Sequence, residues 1–166
     1  EWVSSFPGPI SAISIVFYGD KNYWLAEDGN VYRFDGVQTE PVGYAMKRFV
    51  LDNLSYDNRA MSHGTFKSNF ESIYWWFPAT TASAPGLGIF YNVRTGEMGR
   101  LRYGSAITAS APWRTVSLVT WDDLASFTWN NIAATYPTWD SFGLAANKAE
   151  VLGDSNGQVH MVGWGD

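Results

Sequence analysis

Apolar residues alternate with polar ones through short stretches along most of this chain, and many of the breaks between them carry glycine beside Asp or Asn. Residues 12–17 are apolar and β-branched and are followed by Gly19-Asp20; 23–26 lead to Asp28-Gly29, and 31–34 end at Asp35-Gly36. Glycine supplies the positive φ of a tight hairpin turn, so this spacing predicts a three-stranded antiparallel meander. Period-two alternation puts Val31 and Arg33 on one face and Tyr32 and Phe34 on the other. The period then changes. Met46, Phe49, Val50 and Leu54 fall at helical spacing behind Pro41 and Gly43, which predicts one short helix near 45–54. Strand patterns resume over 60–67, 72–77, 87–93 and 98–103, with turns at Ser68-Asn69 and at Arg94-Thr95-Gly96-Glu97. A last set covers 115–119, 150–152 and 158–162, the final two joined through Asp154-Ser155-Asn156-Gly157.

The last third carries one pattern three times: Thr120-Trp121-Asp122-Asp123-Leu124, Thr128-Trp129-Asn130-Asn131-Ile132 and Thr138-Trp139-Asp140-Ser141-Phe142. The apolar residue three positions after each tryptophan shares a face of one helical turn with it. The threonine is placed to cap that turn by accepting a backbone N–H. Trp121 with Leu124, Trp129 with Ile132 and Trp139 with Phe142 are therefore expected to dock as pairs on a sheet, each contributing about 3–5 kcal/mol before entropy. The closing hairpin, Asn156-Gly157-Gln158-Val159-His160, echoes Asp28-Gly29-Asn30-Val31-Tyr32 near the start. Sheets of about four strands recurring every 40–50 residues or so mark propeller blades. The expected fold is all-β and mainly antiparallel: one domain over 1–166 with about three blades, at 10–44, 58–104 and 113–166, in a partial propeller that does not close.

Charged residues make up 16% of the chain and aromatic ones 17%, so much of its surface is neutral and suited to broad protein contacts. A net charge of −5 and scattered basic residues disfavour a nucleic-acid reader. With no cysteine there are no disulfides, thiolate metal sites or cysteine nucleophiles. The longest apolar run, Ile73-Tyr74-Trp75-Trp76-Phe77, is far short of the roughly 20 residues of a membrane span. Glu1 opens the chain with no basic and apolar leader, which reads as a processed or partial piece of something longer.

No nucleophile elbow, zinc-protease helix, Walker loop or dinucleotide fingerprint occurs, so no catalytic, cofactor or metal set is predicted. Exposed tryptophans beside Asp and Asn suit a carbohydrate platform. Asp122, Asp123 and Asp140 lack the ligand order of a calcium loop. Glycosidase carboxylates could be drawn from Glu27, Asp28, Asp35, Glu71, Asp122, Asp123 or Asp140, but most lie where turns already account for them. His63 and His160 are the only histidines.

The stretch Tyr23-Trp24-Leu25-Ala26-Glu27-Asp28-Gly29-Asn30-Val31-Tyr32-Arg33-Phe34-Asp35-Gly36 resembles the blade hairpins of tail proteins from short-tailed bacteriophages. Arg48-Phe49-Val50-Leu51-Asp52-Asn53-Leu54, Ile73-Tyr74-Trp75-Trp76-Phe77-Pro78, Phe90-Tyr91-Asn92-Val93-Arg94-Thr95-Gly96-Glu97 and the Thr-Trp modules follow in the order of tail tube, nozzle and packaged-DNA stabilisation proteins, over roughly 13–162. Met98-Gly99-Arg100 stands where such proteins carry an aromatic strand, and the chain is shorter than whole members, so it reads as a fragment or minimal version. The resemblance implies a propeller-like structural component of the virion tail. Such a component forms a homo-oligomeric ring, docks other tail and connector proteins, and conducts the genome without sequence-specific binding. An acidic wall would keep passing DNA from sticking. A carbohydrate-binding module for host-surface recognition is the alternative, with a glycan hydrolase behind it.

Overall fold

The computed structural model describes residues 6–115, 122, 124–135 and 147–162. Within them the chain is mostly antiparallel sheet with short helices, the all-β class that alternation predicts. The first sheet runs β1 (Val16–Tyr18), β2 (Lys21–Leu25), β3 (Val31–Phe34) and β4 (Thr39–Pro41) in chain order. Helix α1 (Tyr44–Asn53) leads to a second sheet of β5 (His63–Lys67), β6 (Ser72–Pro78), β7 (Pro85–Asn92) and β8 (Met98–Arg102), also in chain order. A third sheet has β9 (Ile107–Thr115) at one edge, β10 (Asn147–Asp154) in the middle and β11 (Val159–Val162) outside, with α2 (Trp129–Thr135) between β9 and β10 in sequence.

The hairpin between β2 and β3 shows how these turns work. Gly29 adopts φ +76, and Asp28 Oδ1 accepts the Asn30 N–H at 3.1 Å, so the glycine and the carboxylate together close the turn. Helix α1 lies within a residue of its expected bounds, with Val50 buried and Met46 and Phe49 packed on the core.

Four elements depart from the sequence reading. Residues Ala12–Ser14 form a 3-10 turn ahead of β1, where the Ser14 hydroxyl donates to the Ser11 carbonyl and offers the backbone a local alternative to strand. Another 3-10 turn, Arg59–Met61, replaces the start of the strand expected at 60–67. Strand β4 was not expected, being short and polar; the Arg33–Glu40 ion pair links it to β3 directly across the register. The strand expected at 115–119 lies earlier, as β9, and 116–119 fall outside the described residues. Ala and Ser blur the alternation in β9, and its Pro112 is tolerated because the strand is an edge.

Sheet two lies between the other two, and the alternation of β6 divides its aromatics accordingly. Ile73, Trp75 and Phe77 join Val16, Tyr23, Leu25 and Val31 of the first sheet and Val50 of α1 in the main core. Trp76 points the other way and packs with Ile107 and Leu152 of the third sheet. A strand covered on both faces reads as a continuous apolar run, which is why 73–77 carries no polar residue. The Trp75 indole N–H donates to the Ser14 carbonyl at 2.8 Å, joining the turn before β1 to the second sheet. Gly64 permits the close approach of β1 to β5, since a Cβ there would sit 2.6 Å from Val16 Cγ2 and 2.9 Å from Trp75 Cδ1. Among the described residues no helix is long and apolar enough to cross a membrane.

Candidate site where the first strands converge

β1, β5 and β9, the first strand of each sheet, are all edge strands, and β5 contacts both of the others. A cleft of about 520 Å³ opens where they meet, lined among others by Phe17 of β1, Thr65 and Lys67 of β5, Trp113 of β9 and Glu150 of β10. A second pocket of about 530 Å³ shares Ile15 and Gly64 with it and adds His63 and Ser110. The two run along the edge of sheet two.

Alternation explains the polar lining. His63, Thr65 and Lys67 share the face of β5 that carries Trp76 on the adjoining strand, the face turned to sheet three. On β10, Glu150 shares the phase of Leu152, so it too points between the sheets. Glu150 is only 1% exposed, and neither carboxylate oxygen has a hydrogen-bond partner among the described residues. Burial raises its pKa to about 7, against the pull of the Lys67 charge and of the Thr65 hydroxyl, which stays outside normal hydrogen-bond geometry. Lys67 is buried as well, with its ammonium 4.3 Å from the Phe70 ring centre and 5.6 Å from that of Tyr74. That burial lowers its pKa, and Glu150 opposes the shift.

His63 is also buried, and its Nδ1 faces the Met61 carbonyl at 3.4 Å. That contact places the proton on Nδ1 and leaves Nε2 an acceptor, with no partner among the described residues. Burial depresses its pKa and keeps the ring neutral. Ser110 Oγ is likewise unpartnered among them. The cleft thus offers donors and acceptors of both charges between aromatic side chains.

The carboxylates that the sequence offers at Glu27, Asp28, Asp35 and Glu71 are engaged elsewhere, and Asp123 and Asp140 lie outside the described residues. Asp28 accepts from Lys47 at 2.9 Å and Tyr32 at 3.0 Å as well as closing its turn. Asp35 accepts two backbone N–H groups of its own turn. Glu27 pairs with Arg59 at 3.3 Å and Glu71 with Arg94 at 3.0 Å. His160 belongs to the last hairpin, 3.0 Å from Asp154. Among the described residues no cluster of three or more His, Asp or Glu is placed to hold a metal.

Of the three Thr-Trp modules, the middle one is described nearly whole. Thr128 Oγ1 accepts the Asn131 N–H at 3.4 Å at the start of α2, and Ile132 is buried. Trp129, by contrast, is 67% exposed. Leu124 of the first module is buried; Trp121, Trp139 and Phe142 lie outside the described residues. Glu150 and Lys67 were not singled out from sequence. The signal for Glu150 was available, since a carboxylate two residues before Leu152 in a strand occupies the inward phase. No protein-family model matches the chain, and no curated protein sequence matches it.

Proposed function

We propose that this chain is a structural module of a bacteriophage tail, a partial β-propeller that forms part of a genome-conducting ring and docks neighbouring tail proteins. The observation that carries the reading is the convergence of β1, β5 and β9. Three successive antiparallel sheets pack with β5 against both β1 and β9, which supports reading them as blades set about an axis. The order of motifs, which resembles that of tail tube, nozzle and packaged-DNA stabilisation proteins, supports the same reading. The outward phase of sheet three adds a surface for neighbours: Val159 and Met161 are exposed there beside Ala109 and Ala111.

Antibodies against the purified protein, applied to phage particles carrying its gene, test the proposal by electron microscopy. Labelling in a ring at the tail is the expected result. Particles that lack the chain by mass spectrometry would refute it.

A further inference from the structure

A carboxylate held out of water without a hydrogen-bond partner is costly, and a folded chain keeps one where something else completes it. Glu150 is in that position beside a cleft of about 520 Å³, across from the buried Lys67. We propose that the cleft between β1, β5 and the third sheet binds a neutral sugar unit, whose hydroxyls bridge Glu150 and Lys67 while its apolar face packs against Trp113.

Charge selects the ligand class. A cation drawn to Glu150 meets the Lys67 ammonium, and an anion drawn to Lys67 meets the Glu150 carboxylate. A hydroxyl suits both, since it donates to the carboxylate and accepts from the ammonium in one contact. Neighbouring hydroxyls continue the pattern along the edge of sheet two, where Thr65 and Ser110 both donate and accept and His63 Nε2 accepts. The other half of sugar recognition is apolar ring surface. Trp113 and Phe17 line the cleft at 51% and 66% exposed, so large aromatic area is already at the opening before any ligand arrives. The volume suits a ligand of mono- to disaccharide size. This inference stands on the cleft alone, and the site does not depend on a place in a virion.

The test is saturation-transfer NMR on the full chain with glucose, galactose, mannose and N-acetylglucosamine, each free and as its methyl glycoside, and with choline and inorganic phosphate as charged probes. At least one neutral sugar is expected to receive saturation. A response from free sugars assigns a soluble ligand, and one confined to glycosides assigns a unit within a glycan. Glu150→Gln is expected to weaken binding about tenfold, the loss of one charge-assisted hydrogen bond. Trp113→Ala, a change at an exposed side chain, weakens it too and covers the case in which the Glu150 variant fails to fold. No response from any neutral sugar, a response from choline or phosphate alone, or sugar binding unchanged in both variants overturns the proposal.

Discussion

Glu150 is a buried carboxylate with neither oxygen hydrogen-bonded among the described residues, and its proton makes that environment measurable. Its folded pKa of about 7 lies above the ordinary 4.5. Below about pH 4.5 the group is protonated whether the chain is folded or not. Between there and 7 the unfolded chain releases the proton while the folded one holds it, so this group's contribution to stability falls as pH rises. The ceiling on that loss is about 3 kcal/mol, from the size of the shift. His63 acts oppositely: its depressed pKa means that acid below about 6.5 protonates the unfolded chain first and destabilises the fold. The quantity to measure is therefore the difference in urea unfolding free energy between wild type and Glu150→Gln across this range. The variant should gain on the wild type from pH 5 to 8. A difference that stays flat with pH would show that Glu150 titrates normally.

At the scale of elements, the last hairpin has a different electrostatic design. Asp154 accepts the backbone N–H groups of Asn156 and Gln158, both at 2.9 Å, and lies 3.0 Å from His160 Nε2. Those contacts, with His160 foremost, hold its pKa down at about 2. A depressed carboxylate contributes stability above its unfolded pKa and loses it as pH falls. Amide exchange in β10 and β11 should thus quicken as pH falls from about 4 toward 2, after correction for intrinsic rates, and Asp154→Asn should remove that extra acid sensitivity. Exchange that tracks the intrinsic rate in both proteins would contradict it. This hairpin was legible in the sequence because Asp154 and Gly157 carry the turn chemistry locally, as Asp28 and Gly29 do between β2 and β3. The helix at Met46, Phe49 and Val50 was legible for the same reason, its period lying within one segment. What escaped were features fixed by distant partners. The inward polar row of His63, Thr65 and Lys67 acquires meaning only when sheet three covers it. Trp129 shows the converse, since its spacing to Ile132 predicted a shared buried face that only one of the pair occupies.

For the whole molecule, the unequal sharing of apolar side chains decides how it comes apart. The main core draws on sheets one and two and on α1, with Trp75, Phe77, Leu25, Ile73 and Val50 fully buried. Among the described residues, sheet three is joined to sheet two by a smaller cluster of Trp76, Ile107 and Leu152, and the polar groups of the cleft lie along the same boundary. Apolar area sets most of the cost of separation, and unpartnered polar groups reduce it further. Sheet three should therefore open in a step of lower free energy than global unfolding. Leu152→Ala, costing about 2–5 kcal/mol as a buried leucine truncation, should speed exchange mainly in β9, β10 and β11. Trp75→Ala, costing about 3–5 kcal/mol, should lower protection across β2, β3, β6 and β7 and the midpoint of global unfolding together. Native-state hydrogen exchange under graded denaturant separates the two outcomes. If all eleven described strands of the wild type exchanged through one common opening, with Leu152→Ala lowering every strand alike, the two clusters would act as a single core and the boundary would carry no weakness of its own.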